Sequence, residues 1–148
     1  MKLTTMTQVT VDGVMQGNGA ASDEDRRNGF ERGGWARGAG DDETRTFITQ
    51  TYQRAEAPCS AGAPTSCSSA PGNQSTRCAH IPSAWPWTRP KYVASTTLTA
   101  PRWDDTTVLR GDLAAAISEL KAKPRGELQV HGSGALTRWL LETIWSTR

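Results

Sequence analysis

The sequence predicts an α/β domain built on a largely parallel sheet with helices covering it. Strand-like and helix-like segments alternate through the second half of the chain, and such alternation builds parallel sheets. Glycine and proline stand at the joins between those segments. A β-branched N-terminal run supplies a further strand, and 148 residues suffice for one domain.

Lys2 to Asp12 alternates apolar and polar residues and is rich in threonine, which predicts a strand closed by Asp12-Gly13. Residues 16–42 read as a polar, glycine-rich loop in which Asp23, Glu24 and Asp25 form a solvated stretch without calcium-loop spacing. Asp41-Asp42 cap a helix from about Glu43 to Ala55, with Phe47, Ile48 and Tyr52 as its buried face. Lys91 to Ser95 and Thr106 to Leu109 are short strands. Asp112 starts a helix through Lys123, with Leu113, Ile117 and Leu120 on one stripe, stopped by Pro124 and Gly126. Glu127 to His131 is a strand, Gly132-Ser133-Gly134 a turn, and Ala135 to about Glu142 a helix.

Residues 58–88 contradict this pattern. They hold all three cysteines and five of the eight prolines, Arg77 as their sole charge and Ile81 as their sole branched aliphatic. They are expected to be irregular, because they cannot bury enough surface to offset the entropy of ordering. Only 21 of 148 residues are Leu, Ile, Val or Phe, yet the net charge is +2, a combination that disorder does not explain.

Several function classes are excluded by composition. Seventeen basic residues against fifteen acidic leave no nucleic-acid footprint. No run approaches the ~18 apolar residues of a membrane span, and the N-terminus lacks a secretory pattern, so a soluble, cytoplasmic chain is expected. Cys59, Cys67, Cys78 and His80 match no metal-ligand spacing, and an odd cysteine count argues against a disulfide scaffold. Trp35, Trp103 and Trp139 read as packing residues, and His131 as structural.

Gly132-Ser133-Gly134, between a strand and a helix, is the most informative element. Glycines admit a ligand close to the backbone and the helix start favours an anion such as a pyrophosphate; a tight turn needing glycine explains the triplet equally simply. Ser95-Thr96-Thr97 ends another strand at the same expected edge, where ligands of open α/β sheets collect. Asp12 could place a carboxylate in a site or merely close a turn.

Val11-Asp12-Gly13-Val14-Met15-Gln16, Gly29 to Trp35, Pro90 to Leu98 and Leu128 to Leu136, in that order, resemble the dihydrofolate-reductase-like family, which includes the reductase domain of the bacterial riboflavin-biosynthesis deaminase/reductase. The match covers 1–57 and 89–142. The resemblance implies a mixed, mostly parallel sheet and an NADPH-dependent reductase acting on 5-amino-6-(5-phosphoribosylamino)uracil or a similar small molecule, and in the family a homodimer. It would place Gly132, Ser133, Gly134 and Ala135 at the cofactor pyrophosphate, Ser95 and Thr96 near the adenosine 2′-phosphate, and Asp12 near substrate and nicotinamide. The family often carries Arg after the serine of the second motif; Thr96 stands there instead, which weakens the expected NADP preference. No metal and no proton donor are implied.

The family's phosphate-binding run of the type Leu-Leu-Gly-Arg-Arg-Thr-Tyr-Glu is absent, and further strands expected after the last helix are absent too. Codon arithmetic addresses both. Joining the third base of each codon to the first two of the next permits Leu-Leu-Gly-Arg-Arg-Thr-Tyr-Glu-Leu-Phe across Pro58–Ser68. The same frame permits Pro-Ile-Gly-Val-Ala-Leu-Asp across Ile81–Thr88, and a family-like run from Glu142 on. Thirteen Arg against four Lys point to a GC-rich gene, where shifted frames rarely meet stops. The reading is therefore a frame-disrupted, C-terminally incomplete relative. It is expected to turn over no NADPH detectably and to bind nucleotide weakly at most.

Overall fold

The computed structural model describes residues 1–18, 26–36, 38, 40–61, 89–101, 105–124, 126–131 and 133–145. Two compact units are present. The first holds the sheet, drawn from Met1–Thr7 and from the chain following Arg54, and the second holds Gln8–Gln53.

Five strands form the sheet: β1 Lys2–Met6, β2 Ala55–Ala61, β3 Lys91–Ala94, β4 Thr106–Leu109 and β5 Glu127–His131. Their spatial order is β1-β5-β2-β3-β4, and every pairing among them is parallel. Among the described residues the sheet is all-parallel, in keeping with the mixed, mostly parallel sheet expected. Cys59 pairs with Val130 on one side and Tyr92 on the other, so these residues share one rung.

One face of the sheet is the core. Leu3, Leu128, Val130, Ala57, Cys59 and Tyr92 meet Ile117 and Leu120 of helix α2 (Leu113–Ala122) and Leu136 and Leu140 of α3 (Gly134–Leu140). Leu128, Val130, Ile117 and Leu140 are wholly buried. Asp112 caps α2 by accepting from the Ala115 amide at 3.0 Å, and a π-helical turn, Leu141–Trp145, extends α3. In the second unit, helix α1 (Asp42–Gln53) is capped by Asp41, which accepts from the Thr44 amide at 2.8 Å. Phe47 is 62% exposed, which corrects its expected burial; Ile48 and Tyr52 are half-buried.

Three boundaries depart from expectation. β1 stops at Met6 rather than running to Asp12, because its partner β5 stops at His131, the residue paired with Met6. Val9 and Val11 are consequently exposed, and 11–12 form a turn. α1 ends at Gln53, two residues early, because the chain turns into β2. Residues 58–61, expected to be irregular, are strand: β5 and β3 offer ladder partners on both sides, and that slot overrides the poor β propensity of Ala-Glu-Ala-Pro-Cys-Ser-Ala. Pro58 follows a register shift between Ala55 and Ala57, the sort of irregularity where a strand tolerates proline. The remainder of the predicted irregular segment, 62–88 with Cys67, Cys78 and His80, lies outside the described residues, as do Asp23, Glu24, Asp25 and Trp103.

The turn into β5 requires Gly126. Its φ is +78°, and a Cβ there would lie 2.3 Å from Cβ of Glu56. Gly126→Ala is therefore expected to lower stability by about 2 kcal/mol or more, since left-handed backbone alone costs an L-residue ~1–2 kcal/mol. Urea unfolding checks this; an unchanged midpoint would contradict the packing at this turn.

Candidate functional site

In an all-parallel sheet the carboxyl ends of all strands lie along one edge. Ser95 and Ser133 each lie three residues beyond the shared rung of Tyr92, Cys59 and Val130, so both stand just past that edge. One strand, β2, separates them, and two strand spacings amount to ~10 Å. Gly132 lies outside the described residues, between His131 and Ser133.

Ser133 adopts a left-handed backbone, φ 55°, uncommon for a residue with a side chain. Its hydroxyl accepts from the Leu136 amide at 3.3 Å and its carbonyl from the Thr137 amide at 3.0 Å, so it starts α3. Gly134 and Ala135 follow as the first, exposed residues of that helix, whose opening amides have no partner within the helix. Across β2, the Ser95 hydroxyl accepts from the amides of Thr97 (3.3 Å) and Leu98 (3.1 Å), folding 95–98 into a turn. Thr96 lies exposed on it. Two further hydroxyls, Thr7 Oγ1 directly after β1 and Thr137 Oγ1 in α3, are buried without a hydrogen-bond partner among the described residues. Buried hydroxyls are normally satisfied. A polar ligand along this edge would suit both, and to that extent the residues fit the phosphate-rich group implied by the sequence.

The sheet face opposite the core carries a polar ladder along β5 at two-residue spacing. Arg54 Nε stands 3.3 Å from Glu127 Oε1. Glu127 Oε2 accepts from Thr4 Oγ1 (3.2 Å) and from Gln129 Nε2 (2.8 Å). Gln129 Oε1 lies 3.1 Å from His131 Nε2. A carboxylate only accepts, so Gln129 must turn its amide nitrogen to Glu127 and its oxygen to His131. His131 therefore carries its proton on Nε2 and donates it. Burial pushes the His131 imidazole down to about 4. Burial would raise the Glu127 carboxyl, but the Gln129 and Thr4 hydrogen bonds and the charges of Arg54 and Lys2 hold it below its ordinary value. Sequence reasoning treated His131 singly; the Glu-x-Gln-x-His alternation was the available signal.

Asp12 lies in the second unit, in an exposed turn. Its carboxyl accepts from Thr10 Oγ1, which holds it below its ordinary value. The Val14 amide donates to the same hydroxyl at 2.8 Å. Trp35, expected to be a packing residue, also donates from its indole to the Gln16 carbonyl at 2.8 Å. Among the described residues, Asp42, Glu43, Thr46, Phe47 and Gln50, all of α1, line a hollow.

Cys59 is a free thiol whose burial pushes it up to about 12, leaving it inert. Among the described residues no cluster of His, Cys, Asp and Glu could hold a metal ion. No helix among them is long and apolar enough to cross a membrane.

The chain has an α/β fold, an all-parallel five-stranded sheet flanked by helices among the described residues, which is consistent with a dihydrofolate-reductase-like fold. Among solved structures, it is similar to that of a candidate riboflavin biosynthesis protein from Shewanella sp. PV-4, with a TM-score of 0.54 and 18% identity, covering 96% of this chain and 71% of that one. At that identity the likeness is one of fold. No family model matches the chain, and neither does any curated protein.

The ladder predicts a pH dependence. His131 has a folded pKa below its unfolded value of 6.5, so between 6.5 and about 4 the unfolded chain binds more protons and stability falls with pH. The loss should reach about 3 kcal/mol at 1.36 kcal/mol per unit. Glu127, also lowered, adds a loss below its ordinary range. Unfolding free energies across pH 7 to 4 should show this slope, and His131→Gln should flatten the part above pH 5. An equal slope in the variant would contradict the assignment.

Proposed function

We propose that the carboxyl edge of the sheet is an NADPH site and that the domain is of the reductase type, hydride donor to a small molecule. The observation that supports this is the placement of the Ser95 turn and the Ser133 turn at one edge, either side of β2. Gly132, Ser133, Gly134 and Ala135 would hold the pyrophosphate through hydroxyl and backbone amides, with Thr137 as a further hydroxyl. Ser95 and Thr96 would sit near the adenosine 2′-phosphate. The cofactor supplies the hydride, and the protein's part is to place and orient it.

A second reading, a catalytically silent relative arising from a shifted frame, is favoured by the composition of β2. A central parallel strand buried on both faces is ordinarily rich in Val, Ile and Leu. Here Ala55, Ala57, Pro58 and Cys59 occupy the buried positions, whereas the alternative frame permits Leu-Leu-Gly-Arg-Arg from Pro58 on. That frame would enlarge the core and supply two cations for the phosphates. Charge-assisted hydrogen bonds contribute roughly 1.5–3 kcal/mol each, so two missing ones weaken binding by roughly a hundredfold or more.

Titrating NADPH against the chain as written and against a frame-restored chain, followed by nucleotide fluorescence and thermal shift, tests both readings. Micromolar binding by the chain as written supports the reductase-type site and sinks the silent reading. Binding weakened by a hundredfold and recovered in the restored chain supports the silent relative. No binding by either chain would overturn the cofactor assignment.

A further inference from the structure

Among the described residues β1 and β4 are the edges of the sheet, and they are built differently. β4 is four residues long, entered through Asp105 in left-handed backbone (φ 52°) and left through the charged Arg110. Brevity, a kink and flanking charge keep an edge strand from pairing with another chain. β1 lacks these devices. Lys2 to Met6 stays in unbroken register with Glu127 to His131, without bulge or proline, and its sole charge is Lys2 at one end.

The ladder fixes where the remaining backbone groups of β1 point. The Lys2 amide donates to the Gly126 carbonyl at 3.0 Å, one residue before Glu127, the ladder partner of Lys2. Alternate residues of a parallel strand bond to a given neighbour, so Lys2, Thr4 and Met6 bond to β5. The amides and carbonyls of Leu3 and Thr5 therefore point away from β5, and no strand pairs with them among the described residues. Thr5 is exposed on this row.

We propose that the β1 edge is a homodimer interface, at which a second copy of this chain adds its own β1 antiparallel across a two-fold axis through Thr4. This register satisfies the whole outward row. Leu3 stands opposite Thr5 of the second copy, the two exchange amide-to-carbonyl hydrogen bonds, and Thr4 meets Thr4 in a non-hydrogen-bonded pair. A slip of one residue sets outward groups against inward ones. A slip of two sets part of the row against residues outside the strand. The side chains match as well: Lys2 meets Met6 rather than a second cation, and a central threonine pair is a favourable cross-strand combination. Such a contact uses each β1 edge once and closes, and the blunted β4 edge does not propagate it. No residue of the interface belongs to the proposed cofactor site.

Sedimentation equilibrium of the whole chain, from micromolar to millimolar concentration, tests this: the mass should rise from monomer toward dimer and no further. Thr5→Pro removes an outward amide that bonds nothing in β5, so it should hold the chain monomeric and leave the melting transition near its original position. Thr4→Cys, with Cys67 and Cys78 changed to serine, should cross-link to its counterpart under mild oxidation, because residues of a non-hydrogen-bonded pair lie ~4.5 Å apart. Thr5→Cys in the same background should not, its counterpart lying two residues off. In the dilute monomer the Leu3 and Thr5 amides should exchange rapidly with solvent. A chain monomeric at every concentration, a dimer unchanged by Thr5→Pro, or cross-linking through Thr5→Cys in place of Thr4→Cys would each overturn the proposal. Slow exchange of those two amides in the monomer would do so too, since another segment of the chain would then occupy the edge. Should Thr5→Pro fail to melt cooperatively, the cross-linking pair decides.

Discussion

The insertion of β5 between β1 and β2 is the constraint on which the rest depends. Among the described residues, β1 has β5 as its one ladder partner, and β2 reaches the N-terminal strand only through it. Leu3 pairs with Leu128, and Ala57 pairs with Leu128 from the other side. Until residues 127–131 enter, the sheet is two separate pieces with open edges. Pairings of such long sequence separation must meet the entropy of loop closure first, so this is a slow-folding arrangement. Once seated, β5 buries Leu128 and Val130 against α2 and α3 on one face and Gln129 on the other.

The same strand links core and site. Its apolar alternation forms the core rung, and its polar alternation forms the chain from Arg54 through Glu127 and Gln129 to His131. That chain runs from the amino edge of the sheet to the residue just before the Gly-Ser-Gly turn. Charge at Glu127 orients Gln129, and Gln129 sets the tautomer of His131. The strand end is thereby held rigidly where the backbone must enter the left-handed geometry of Ser133. On the far side of β2, the β3–β4 pairing ties the Ser95 turn to the end of β4, the Ser95 amide donating to the Leu109 carbonyl.

Much of this was legible in the sequence. β3, β4, β5 and α2 announced themselves because periodicity, an aspartate cap and glycine stops agree locally. The shared edge of Ser95 and Ser133 followed from parallel topology alone. β2 did not, because its residues oppose a strand and only its neighbours impose one. The length of β1 was illegible for a related reason: the alternation up to Val11 continues past the end of the partner strand. Phe47 was misplaced because helical spacing does not say which face is covered.

The most direct test is residue-resolved. Backbone amide resonances of the isotopically labelled chain should be followed on adding NADPH. The account predicts that the largest shifts fall on residues 95–98 and 133–137, with α1 and the 16–18 segment little affected. Shifts confined to α1, or spread evenly without those turns, would contradict a cofactor site at the carboxyl edge of the sheet.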